Sequence, residues 1–254
     1  MMNSLQRNGG CIFNGWSAIA FTCLLGFGEI AASTDIVPAP QADPHYTQMG
    51  FFDIHVCNWP DQPLFFLSLF SSYAYDAVAR VELFTPDNHS IGDLDLAIYR
   101  LIREEGKPEK RAFIKHFEIP SDASDGWYKA IVTTKDGRRY AAEDFVVIRK
   151  MQRAQNMQPA DGAENVRLPK QLSWDPIPGA RYYRVFIHDV WEGRLVYEST
   201  LLTEPRLMLP NGIVQPGGYY HWRIHARDVN ENVLLGDFNH GSLTDSFSFS
   251  VASD

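Results

Sequence analysis

Residues 172–187, LSWDPIPGARYYRVFI, decide the fold. Leu172 and Trp174 alternate with polar neighbours until Pro176 and Pro178 stop the run, and Tyr183, Val185 and Ile187 resume it at period two. A helix would place apolar residues three and four apart, so this spacing predicts two strands separated by a Pro-Gly turn, each with one face inward. Outward from that stretch, residues 216–228 (PGGYYHWRIHARD) put Tyr220, Trp222, Ile224 and Ala226 on one side. Leu207 and Leu209, then Phe247, Phe249 and Val251 in the FSFSV run of residues 247–251, keep the same period. Inward sets this apolar suit two sheets packed about 10 Å apart.

Upstream, residues 126–148 (GWYKAIVTTKDGRRYAAEDFVVI) predict a hairpin. Tyr128, Ala130 and Val132 alternate, Asp136-Gly137 supplies positive-φ turn residues, and Phe145 and Val147 return. Phe52, Ile54 and Val56 predict a strand, Leu64 to Phe70 a buried second and Ala79 to Phe84 a third. Asp95 to Ile102 fits a strand or a helix, and a hairpin turning at Glu105, Gly106 and Lys107 is the expectation adopted. The polar stretch at 149–156, RKMQRAQN, marks the boundary between residues 34–150 and residues 151–254. The fold class is therefore all-β, two tandem sandwiches of about 100 residues each.

The C-terminal strand set, with Trp174 at a core position and Tyr220 at a tyrosine corner, resembles a fibronectin type III domain over about residues 157 to 252. The N-terminal half is similar to a bacterial immunoglobulin-like sandwich. Both resemblances imply a scaffold shared by many functions, so neither implies an activity. No Arg-Gly-Asp sequence supports cell attachment.

The N-terminus predicts the compartment. Arg7 precedes the apolar run WSAIAFTCLLGF at residues 16–27, followed by Ala31, Ala32 and Ser33. This order is that of a secretory signal peptide over residues 1–33, and the run falls short of the roughly 20 residues that span a bilayer. The expectation is a secreted or periplasmic mature chain with no transmembrane span. Cleavage removes Cys11 and Cys23 and leaves Cys57 as a packed thiol with no disulfide partner. With 23 Lys+Arg against 31 Asp+Glu, the net charge of −8 excludes a cationic nucleic-acid binder.

His221 and His225 have helix-type metal spacing but lack the Glu of HExxH, and on a strand they sit about 13 Å apart. His188 with one of them leaves a cross-strand pair to consider. The loops around Asp87 and Asp122 do not match a calcium loop, and His55 with Cys57 lacks a third partner. Asn88-His89-Ser90 has the form of a glycosylation acceptor. No enzyme, cofactor or metal is expected. Parity instead sends Tyr182, Arg184, Phe186, His188, His221, Arg223, His225 and Arg227 outward on two adjacent strands, above the small residues Ser246, Ser248 and Ser250. Such an aromatic and basic face on an acidic protein suits a protein or glycan partner at the cell envelope. The function expected is non-enzymatic binding; the alternatives are a structural spacer or an accessory module of a carbohydrate-active or hydrolytic system. The segment Val229 to Thr244 is long enough that it must fold back or meet something.

Overall fold

Alternating apolar runs become strands almost wherever the sequence carries them. A computed structural model describes residues 36–37, 43–103, 105–229 and 238–253, and the expected signal peptide lies outside them. In the N-terminal half the strands are β1 (Ile36–Val37), β2 (Tyr46–Thr47), β3 (Gly50–Asn58), β4 (Phe65–Ser72), β5 (Val78–Phe84), β6 (Ser90–Asp93), β7 (Tyr99–Ile102), β8 (Lys110–Glu118), β9 (Gly126–Thr134) and β10 (Arg139–Val146). One sheet runs β1-β10-β9-β5-β6, and β3-β4-β8-β7 faces it. Phe52, Ile54 and Val56 of β3 and Phe66 and Phe70 of β4 pack against Val81, Leu83, Tyr128, Val132 and Tyr140. The Asp136-Gly137 turn joins β9 to β10, with Gly137 at φ 84°. β7 pairs with β8 around Gly106 but is shorter than expected, because Asp95 caps a turn through the N–H groups of Ala97 and Ile98.

The C-terminal half supplies β11 (Ala163–Val166), β12 (Gln171–Ser173), β13 (Tyr182–Asp189), β14 (Arg194–Glu198), β15 (Arg206–Met208), β16 (Tyr219–Arg227), β17 (His240–Leu243) and β18 (Phe247–Val251). β12 pairs with β15, while β14, β13, β16, β18 and β11 form the opposing layer. Trp222 is the centre of this core, with Trp174, Tyr183, Val185, Ile187 and Phe249 around it. Tyr220 is buried and its hydroxyl accepts the Gln215 N–H at 3.0 Å, the bond of a tyrosine corner. Met151, Ala154 and Met157 of the polar 149–156 region and its flank are buried in this same core.

The two cores are joined by hydrogen bonds along one sheet. β17 lies antiparallel to β16 and parallel to β3, with His240 opposite Val56 and Ser242 opposite Asn58. Thus part of the long 229–244 segment does fold back, as a strand; residues 230–237 lie outside those described. Close approach requires glycine at 241, where a Cβ would sit 2.5 Å from the Phe238 ring. The connection between halves is tied in as well. Asn58 donates to the Met151 carbonyl at 2.8 Å, Ser242 to the Gln152 carbonyl at 2.8 Å, and His240 Nε2 meets the Val147 carbonyl at 2.7 Å. His240 Nδ1 meets Asp228 at 2.6 Å. Burial is the largest influence on that carboxyl and pushes it up, but the His240 ring and the backbone N–H groups of His240 and Val229 together outweigh it and hold Asp228 below its usual range.

Candidate functional site

Joining the halves bends the outward face expected from parity into two regions. On β13, Tyr182, Arg184, Phe186 and His188 alternate with the buried Tyr183, Val185 and Ile187 and remain half-buried. On β16, His221 is half-buried and Arg223 exposed, but His225 and Arg227 are only 8% and 6% exposed. The outward assignment of these last two is corrected here. Their side chains leave the C-terminal core as parity requires, yet Phe238 and Trp59 of the adjoining structure cover them. Strand register keeps the set together: Arg184 lies opposite His225, Phe186 opposite Arg223 and His188 opposite His221.

The first region is a groove of about 310 Å³. Arg184 and Phe186 of β13 and Arg223, His225 and Arg227 of β16 form one wall. Leu67, Leu69 and Ile114 of β4 and β8, with Trp59 and Arg100, form the other. Four arginines therefore reach one groove, and none of its described lining residues is acidic. Arg184 shares Glu198 at 2.7 Å, whereas Arg100 and Arg223 make no ion pair among the described residues. Burial, then the positive charge of Arg184, lowers Arg227 to about 10, so its guanidinium is still charged at neutral pH. Burial and the same arginines hold His225 well below its usual range, which makes it a neutral wall. Cationic rim over apolar floor is the geometry of a site for an acidic group carried on an apolar body.

The second region is a shallow hollow of about 390 Å³ at the far end of β13 and β16, where His188 and His221 meet beside Asp189, Arg223 and Ser246. Arg223 borders both regions. The two histidines do not gather a third ligand there. Among the described residues, the group whose ligand atoms lie within 4.8 Å of one another is His45, Asp53 and Asp144, in the N-terminal half. Those groups are already engaged: Asp144 accepts the Ile54 N–H at 2.8 Å and faces His45 at 3.2 Å, and Asp53 faces His55 at 2.6 Å. The hydrogen bond from Asp144, with Asp43 adding to it, raises His45 to about 9 despite partial burial. Cys57 lies in an apolar cluster with Phe65 and Phe238, and burial pushes its thiol up, away from the thiolate a nucleophile needs.

Sequence reasoning missed the entire N-terminal wall: His55, Trp59, Leu67, Leu69, Arg100 and Ile114, with Phe238 and Leu243 beside them. A signal was present. Both parities of β3 and β4 are buried, and the run PLFFLSLF at residues 63–70 is apolar at odd and even positions alike. A strand that is apolar on both sides is covered on both sides.

No family model matches the chain, and no curated protein matches it. Solved structures similar to it include the chicken CNTN1 FN1–FN3 domains, at 9% identity and a TM-score of 0.34, covering 79% of this chain and 66% of that one. Another is the trypsin-activated alpha-2-macroglobulin of Escherichia coli, at 11% identity and 0.27, covering 88% of this chain and 16% of that one. A third is the Bacteroides ovatus mixed-linkage glucan utilization locus protein SGBP-B in complex with a mixed-linkage heptasaccharide, at 13% and 0.23, covering 76% and 42%. This chain thus corresponds to under two thirds of each of their lengths. The architecture itself is an all-β, sandwich-like arrangement, and no helix among the described residues is long and apolar enough to cross a membrane.

Proposed function

We propose that this chain is an exported, non-enzymatic binding protein of the cell envelope. Its groove between the two cores receives a protein partner's segment carrying acidic next to apolar side chains. The observation that supports this reading is the convergence of Arg100, Arg184, Arg223 and Arg227 on a floor of Leu67, Leu69, Ile114 and Phe238. Carboxylates meet planar guanidinium donors there, and apolar side chains leave water for the floor. In a chain with more acidic than basic residues, four arginines line this groove with no acidic residue among its described lining, and of these Arg100 and Arg223 make no ion pair among the described residues.

The test uses the Phe186→Ala, Arg223→Ala double variant. Truncating aromatic and arginine anchors commonly costs about 2 kcal/mol or more of binding. The expected outcome is a partner captured from envelope extract by the wild type, released by salt and absent from the double variant, at an unchanged melting temperature. Retention of every captured protein at wild-type strength overturns the assignment of the groove. Export is checked separately by N-terminal sequencing of cell-fractionated protein, with a start at or near Thr34 expected and Met1 contrary to it.

A further inference from the structure

The hollow at the far end of β13 and β16 differs from the groove in the chemistry of its lining. It is lined by His188, His221, Asp189, Arg223 and the small, exposed Ser246, with Val190 and Gly193 of the adjoining turn. Val190 is the one apolar side chain in that lining, too small to seat a protein's large apolar anchor. Beside it stands an aromatic step. The turn between β13 and β14 presents Trp191 at 74% exposure, the most exposed large hydrophobic residue described. Its ring lies 5.9 Å from Tyr219, which lies 5.7 Å from His221.

That turn is held rigid. Asp189 accepts the Glu192 N–H at 2.9 Å, Val190 donates to the Tyr219 carbonyl at 2.9 Å, and Gly193 takes φ 63°. A tryptophan this exposed contributes little to the core beneath it, while its flat apolar face remains available to a ligand. Burial, followed by the charges of Arg223 and His221, lowers His188, so that ring is neutral at pH 7 and offers both a donor and an acceptor. Arg223 has no ion pair among the described residues, and its guanidinium lies 5.9 Å from the Phe186 ring.

We propose that this hollow binds an acidic oligosaccharide, one pyranose ring lying against Trp191, ring hydroxyls bonding His188, His221 and Ser246, and a sugar carboxylate received by Arg223. Tyr219 and Arg223 are four residues apart on β16, about 13 Å along a strand. A ligand that meets both ends therefore spans more than one ring. Sugars suit this lining because each ring pairs an apolar C–H face with a rim of hydroxyls, and the hollow pairs indole with polar side chains in the same order. The acid follows from Arg223, the lining cation with no ion pair among the described residues, while Asp189, still charged, turns one oxygen to the Glu192 N–H.

The experiment is calorimetric titration of the full chain with hexamers of galacturonate and of mannuronate, and with a neutral β-1,4-linked glucose hexamer. At least one acidic hexamer is expected to bind, the neutral hexamer about tenfold or more weaker. Trp191→Ala should weaken the acidic ligand by about tenfold or more, the equivalent of about 1.4 kcal/mol, with no change in melting temperature. Arg100→Ala, which alters only the groove, should leave it unchanged. Absence of binding by both acidic hexamers at millimolar concentration overturns the proposal, as does equal affinity for the neutral hexamer or wild-type affinity in Trp191→Ala. Arg223 borders both regions, so the two sites are told apart by Trp191→Ala, which alters only the hollow, and Arg100→Ala, which alters only the groove. Loss of sugar binding in the first with partner capture intact, or loss of capture in the second with sugar binding intact, leaves the other site standing.

Discussion

The first and second halves of β16 share one strand, one parity and one core beneath them, yet their outer side chains meet opposite fates. His221 and Arg223 open onto solvent, while His225 and Arg227, two and four residues further on, are buried. The difference is the neighbour. Along residues 219–222 the strand borders β18, and along 225–227 it borders β17, through which the sheet continues into β3. Alternation thus states which side chains leave their own core, and the adjoining structure determines whether they then reach water.

The comparison breaks most severely if the shared core is not shared. Trp222 is fully buried under both halves of the strand, so Trp222→Ala should lower stability by about 3–5 kcal/mol, read as a loss of denaturation midpoint. A small effect would mean that the inward face is misassigned throughout. Next comes the junction. His240 joins Asp228 to the Val147 carbonyl, and His240→Ala should cost about 1–3 kcal/mol because the buried imidazole and its two part-buried bonds, one to a carboxylate, are lost together. His221→Ala, at the open end, should stay within about 0.5 kcal/mol. Equal costs at the two positions would erase the distinction between the joined end of the sheet, where β17 lies beside β16, and its open end.

A smaller, pH-dependent effect sharpens the same contrast between a tied seam and a free face. His45 is raised from 6.5 to about 9 by Asp144 and Asp43. A group whose pKa rises on folding contributes stability that is fully present below about 6.5 and lost as pH climbs through about 9. Melting temperature should therefore decline across that window, and His45→Gln should flatten the decline. Asp228 runs the other way: its lowered pKa contributes stability above the ordinary carboxylate range that is lost in acid as the group protonates. A profile unchanged by His45→Gln would show that the Asp43–His45–Asp144 chain contributes nothing to the alkaline limb.

Most of the strands were legible because each needs only its own residues: Tyr183, Val185 and Ile187 share a face whatever they pack on. The tyrosine corner at Tyr220 and the hairpin at Asp136-Gly137 were legible for the same reason, since each is a contact within a few residues. β17 was not. His-Gly-Ser-Leu has neither the apolar alternation nor the β-branched content of a strand, and it becomes one because β16 and β3 offer backbone groups on both sides. The site divided likewise: the β13 and β16 residues came from parity, but Trp59, Leu67, Arg100 and Ile114 lie over 60 residues away in the chain and join them through the pairing of β17 with β3 and the ties of the 149–156 region.

The sequence by itself determined the all-β class, the inward faces of both cores and the excess of acid over base, because period, turn chemistry and charge are local properties. Tertiary structure alone decided that one sheet passes between the cores and that four arginines share a groove. It also decided that Trp191, through Tyr219 and His221, stands beside a second hollow. Those outcomes depend on which backbone edges find hydrogen-bond partners across the chain, and a side chain's exposure is settled only when those edges have met.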